Sequence, residues 1–132
     1  MARATIDEAQ LRRVLRKFDR VEENVEIITR EELMRSSFNI VALAKVLAPV
    51  ITGQVRDSIR WEWDGEYATI IGSDLQVRGI TGLLIVEELE HGTRTRPAKP
   101  FLWPAFKHEA PIFRATLDAR IEAELQKVRR YL

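Results

Sequence analysis

This chain of 132 residues contains no cysteine. That excludes structural disulfides and thiolate metal sites, and it fits a protein made in a reducing cytosol. No apolar run approaches the ~18–20 residues that cross a bilayer, so no membrane contact is expected. The stretch from Met1 to Glu8 lacks the apolar core of a secretory signal. Glycine and proline are both missing from the first 48 residues. The six glycines, at 53, 65, 72, 79, 82 and 92, make neither a dinucleotide fingerprint nor a phosphate-cradling P-loop. There is no HExxH, EF-hand or G-x-S-x-G pattern. Charge of one sign is also missing overall, with a formal net of +1.

What is present reads as one domain, 1–132, long enough to bury about two thirds of its unfolded surface without a staple. The region 1–48 is helical. Val14, Phe18, Val21, Val25 and Ile28 recur at four and three residues and form one stripe. The stripe then loses phase. Thr29-Arg30-Glu31-Glu32 fits a capping box that starts a second helix, with Met34, Phe38, Val41, Ala44 and Ala48 inward. A single long helix kinked near Thr29 is the alternative. Pro49 ends the region.

Residues 49–103 hold strands and loops. Ile59, Trp61 and Trp63 share one face of a strand, Asp64-Gly65 signals a hairpin, and Glu66–Gly72 returns as the partner. Leu75–Arg78 is a candidate third strand. The run 83–91 fits a short helix ended by Gly92 in a left-handed cap, or else a strand. Pro104 or Pro111 occupies the first turn of the last helix, 104–132. Phe113, Leu117, Ile121, Leu125, Val128 and Leu132 form its apolar stripe. The expected class is α+β: an N-terminal helix or helix pair, a small, mostly antiparallel β-sheet, and a long C-terminal helix.

Charge is unevenly distributed. Residues 56–92 carry eight acids against three bases, and residues 94–107 carry Arg94, Arg96, Lys99 and Lys107 with no acid. Opposite patches of this kind can guide head-to-tail association of identical subunits. Glu87, Glu88, Glu90 and His91 form the one compact titratable cluster, but adjacent side chains diverge on a helix or a strand and do not converge on one atom. The cluster therefore assigns no catalytic residue, no metal ligand and no cofactor; Gly92 supplies a special backbone angle, and Glu90 hydrogen-bonds local amides or a neighbouring arginine. The chain is read as a non-enzyme. Trp61, Trp63, Tyr67, Phe101 and Trp103, with the basic loop 94–107, suggest an alternative: a nucleic-acid-binding accessory protein that stacks bases and touches phosphate.

Three punctuated signatures follow one another: Ala48-Pro49 with Thr52-Gly53 and Ser58-Ile59; Glu90-His91-Gly92-Thr93; and Pro100-Phe101-Leu102-Trp103-Pro104-Ala105. In this order and spacing the chain resembles, over about residues 40–130, the HK97 gp10-like family of tailed-bacteriophage neck and tail-completion (head–tail connector) proteins. Ile51 stands where that family often has an acid, and Leu83-Leu84-Ile85 where it often has Tyr-Ala. The motif positions carried by the resemblance are Pro49, Thr52, Gly53, Ser58, Gly92, Thr93, Pro100 and Pro104. It implies a structural virion protein, joining tail to head as a subunit of an oligomeric ring, with a hexamer expected. Implied partners are further copies of itself and the tail tube, tail terminator or head-completion proteins, with non-specific contact to passing DNA. The implied location is the neck or tail of the virion, and the host cytoplasm during assembly. The expected subunit interface joins Arg94, Arg96, Phe101 and Trp103 to Glu87, Glu88 and Glu90 of a neighbour; the same loop can instead drape over its own domain with Phe101 and Leu102 plugged into the core.

Overall fold

A computed structural model describes residues 7–49 and 53–130. The first helix, α1, runs unbroken over Glu8–Leu47. Asp7 caps it by accepting the Ala9 amide at 3.0 Å. At the other end Ala48 turns extended, with ψ of 135°, as steric conflict with a following proline requires. A short α2 (Gln54–Ser58) leads directly into β1 (Ile59–Trp63), which pairs antiparallel with β2 (Thr69–Ser73). Then come α3 (Ile85–His91) and the long α4 (Leu102–Arg129).

The class is α+β, with a long helix at each end of a two-stranded sheet. The N-terminal region is one helix, not two. Thr29 does not cap a second start: its hydroxyl donates back to the Val25 carbonyl at 2.7 Å, and Glu32 turns toward α4. The third strand does not form over 75–78. The Val77 carbonyl instead accepts the first amide of α3, Ile85, at 2.8 Å, leaving a lone bridge between Arg78 and Leu84. The hairpin connection spans five residues, closed by the Asp64 amide on the Ala68 carbonyl, so the return strand begins at Thr69 and not at Glu66. Within the run 83–91, Ile85–His91 is helical, and Gly92 at φ +75° ends it. Pro104 takes the first turn of α4, whereas Pro111 lies inside the helix, where its missing N–H leaves the Lys107 carbonyl without a helical donor.

α1 and α4 run antiparallel. Their cross-links descend in step: Asn24 with Glu124, Glu31 and Glu32 with Arg120, and Arg35, Ser36 and Asn39 with Glu109. This seam is polar and partly buried. The Glu32 carboxylate, 4% exposed, takes Arg35 at 2.8 Å and Arg120 at 2.9 Å. Burial pushes the Glu32 pKa up, but the two guanidinium groups outweigh it and hold the carboxyl below its usual range. The Arg35 guanidinium keeps one buried nitrogen without a hydrogen-bond partner.

The apolar core lies at the far end of the helix pair. Ile40, Ala44 and Ala48 of the α1 end meet Val55, Ile59, Val86, Phe101 and Ala105. Phe101 is fully buried, which contributes roughly 1.5–3 kcal/mol. Met34 and Phe38 point outward, with Phe38 68% exposed. The inward positions of that stretch are Glu32, Ser36 and Ser37. Ser37 and Thr69 share a hydrogen bond at 2.7 Å that ties the hairpin to α1, and Arg30 lies over the Trp63 ring at 4.3 Å.

Candidate subunit interface

The second and third sequence signatures form one local structure. α4 begins at Phe101 without a side-chain cap of its own. Glu90, projecting from α3, supplies it: one carboxylate oxygen accepts the Phe101 amide at 2.8 Å and also the Leu102 amide. A carboxylate there also meets the positive end of the α4 dipole. The intervening loop is pinned at three points. Lys99 donates its amide to the Leu89 carbonyl at 2.8 Å, Thr93 donates its amide to the Arg96 carbonyl at 2.9 Å, and the Thr93 hydroxyl accepts the Arg96 amide at 3.1 Å. The loop also folds tightly over Gly92, where a β-carbon would come within 2.8 Å of the Ala98 nitrogen. This close approach and the positive φ both require glycine.

The first signature is a junction of the same sort. Gly53, at φ +79°, opens α2. The Ser58 hydroxyl donates to the Val55 carbonyl at 2.6 Å and touches the Ser73 hydroxyl. Pro49 is half-buried, and Thr52 lies outside the described residues.

These contacts revise the expected interface. Phe101 is in the core and presents nothing to a neighbour. Both donors that Glu90 holds are internal. Glu88 is engaged by the hydroxyl and the amide of Thr81, which, with Arg96 nearby, hold its carboxyl below the usual range. Arg94, Arg96, Lys99, Pro100, Trp103 and Glu87 remain at the surface. Trp103 is 58% exposed and stacks on Phe106 with ring centroids 5.7 Å apart. Phe106 was not singled out from sequence. Its place three residues beyond Trp103, one helical turn away, is the signal that would have found it.

Trp103 and Phe106 form one wall of an apolar groove between α1, β2 and α4. One part of it, about 430 Å³, is lined by Ile40, Thr69, Ile71, Glu90 and Leu102 besides those two rings. An adjoining cavity of about 370 Å³ continues it past Ser37, Tyr67 and Phe113. The stacking platform suggested by the aromatic residues is not assembled. Phe101 is buried, and Trp61 packs edge-on against Trp63 at 5.6 Å on the hairpin.

Among the described residues no group of three His, Asp or Glu side chains is placed to hold a metal ion, and no helix is long and apolar enough to cross a membrane. Comparison of the chain with protein-family models, curated proteins and solved structures finds no match.

Proposed function

We propose that this protein is a structural subunit of a tailed-phage neck, of the tail-completion type. In this reading it joins tail to head as part of an oligomeric ring. The observation that carries it is the role of the three signatures. Gly53, Ser58, Glu90, Gly92 and Thr93 serve chain junctions, and the features left outward are a basic loop, a stacked aromatic pair and an apolar groove. That is the equipment of a packing surface and not of a reaction centre. It supports the resemblance to the HK97 gp10-like family read from the same residues.

The mechanism is geometric. Exposed aromatic side chains anchor a neighbour, and unlike charges set its orientation. Arg94, Arg96, Lys99 and Trp103 face the acidic surface of an adjacent copy, with Glu87 among its acids. Further partners in this reading are the tail tube, the tail terminator and head-completion proteins, with DNA passing through the ring. The site of action is the virion neck, reached from the host cytoplasm.

Native mass spectrometry across a concentration series tests the reading. A closed oligomer, hexameric by expectation, that is lost on Arg94→Glu with Arg96→Glu supports it. A strict monomer that also fails to bind isolated tails counts against it. The uninterrupted basic run over 94–107 favours one competing reading, a nucleic-acid accessory. Retention on DNA that falls steeply with salt, in a protein that stays monomeric, would favour that reading instead.

A further inference from the structure

The geometry points to residues 8–20 of α1 as an arm that seats in the groove between β2 and α4 of a second copy. This inference rests on the ring reading, for which it supplies a head-to-tail contact.

The first turns of α1 lie beyond the described part of α4. Asn24 meets Glu124, and five further residues bring α4 to Arg129, the last residue of the helix, level with roughly residue 19 of α1. Of residues 8–20, all but Val14 and Lys17 are exposed. The overhang is nevertheless amphipathic. Leu11, Leu15 and Phe18, each 44–51% exposed, fall at i, i+4 and i+7. That is the anchor spacing of helices that lie in apolar grooves.

Charge selects the occupant. The arm holds five bases (Arg12, Arg13, Arg16, Lys17, Arg20) against two acids (Glu8, Asp19), a net of +3. The groove is bordered by the hairpin tip, through Tyr67 and Thr69. There Glu62, Asp64 and Glu66 are exposed, and the one base at the tip among the described contacts is Arg30, which donates to the Glu66 carbonyl and lies over Trp63, so the acids remain in excess. Of the charged residues lining the groove, Glu90 and Glu109 are hydrogen-bonded internally, and Arg114 is the base. A basic apolar helix thus meets an apolar trough with an acidic lip.

The arm cannot reach its own groove. Ile40 lines the groove and lies 22 residues beyond Phe18 on the same helix, roughly 33 Å away. The donor must therefore be another molecule. Because arm and groove are different surfaces, the contact is heterologous, and it repeats around a ring.

The absence of native cysteine allows a direct test. Phe18→Cys and Phe106→Cys are made separately, the second with a mass tag, and both sites are exposed enough to leave the core intact. A disulfide requires α-carbons within about 7 Å. Mixing the two under mild oxidant is expected to give the tagged–untagged heterodimer as the main product, and the double variant to give a ladder past dimer. Absence of the heterodimer overturns the proposal. So does efficient homodimer formation by Phe18→Cys alone, which would mean arm against arm, or a ladder abolished by nuclease, which would mean nucleic acid bridges the copies. As a second readout, Leu15→Asp is expected to raise the concentration for half-assembly at least tenfold while leaving the monomer's melting temperature unchanged. An unchanged assembly midpoint also overturns the proposal. A wild-type ring without the bridge sinks the arm and leaves the ring reading standing, whereas a wild-type monomer without it sinks both.

Discussion

Replacing Glu32 with alanine should be among the most damaging single changes to the helix pair. The residue sits at mid-length on α1 and satisfies two guanidinium groups at once, Arg35 at 2.8 Å and Arg120 at 2.9 Å. Arg120 retains Glu31 at 2.8 Å. Arg35 retains only a 3.4 Å contact to Glu109 and already has one buried nitrogen unpaired. Breaking a fully buried pair costs about 3–5 kcal/mol. Both arginine side chains keep more than a third of their surface in solvent, and screening lowers this to about 2–3 kcal/mol. For a chain of this size the melting temperature should fall by roughly 6–12 °C. Glu31→Ala removes a pair whose acid is half exposed and should cost less than about 1 kcal/mol. The assay is calorimetric or circular-dichroism melting of both variants, with a Glu32→Ala/Arg120→Ala cycle expected to show coupling of about 1–2 kcal/mol. The pH dependence has a definite sign. Glu32 and Glu124 both have depressed folded pKa values, Glu124 chiefly through Lys127 and then Asn24. The unfolded chain therefore takes up these protons first. The stabilisation is present above an unfolded value of roughly 4.3–4.5 and is lost as pH falls through the folded values. Acid melting curves of Glu32→Ala should be flatter than wild type below that point. Equal losses for Glu31→Ala and Glu32→Ala, or parallel acid curves, would refute the seam as a source of stability.

Glu90→Ala should cost about 1–2 kcal/mol, and should speed amide exchange at Phe101 and Leu102 ahead of the rest of α4. Gly92→Ala combines a left-handed φ with a contact that backbone atoms must relieve; a loss of about 2 kcal/mol or more is expected by chemical denaturation. Phe101→Ala should cost about 3–5 kcal/mol, while Phe106→Ala, at an exposed site, should cost under about 1 kcal/mol; the reverse order of midpoints in urea would mean the core has been misplaced.

The elements that could be read from sequence were those with punctuation. Pro49, Gly92 and Pro104 each mark a boundary that the structure keeps, because proline restricts the backbone locally and glycine reaches the positive φ that ends a helix. The middle of α1 could not be read in that way. Its inward positions are Glu32, Ser36 and Ser37, so a search for apolar periodicity finds the stripe broken and takes the exposed Met34 and Phe38 as core. The partners that make those polar positions inward, Glu109 and Arg120, lie about 70 to 90 residues away, and no local pattern links them. The expected interface narrows for a different reason. Glu90 and Phe101 each admit two readings in sequence, a neighbour contact or a local role on nearby amides and in the core, and each serves the start of α4. Exposure, which separates Trp103 from Phe101, depends on where the loop is pinned.

The polar seam has a consequence for any assembly built from this chain. Two greasy helices can slide past one another by a turn at modest cost, because one apolar contact replaces another. Here a shift of about 5.4 Å would strand Glu32, Arg35, Glu109 and Arg120 together. The two long helices therefore behave as a strut of fixed length, with the free end of α1 at one extremity and the groove at the other. A shell made from such struts takes a fixed span from each subunit, and only the rotation between neighbours is left to decide how many close the circle.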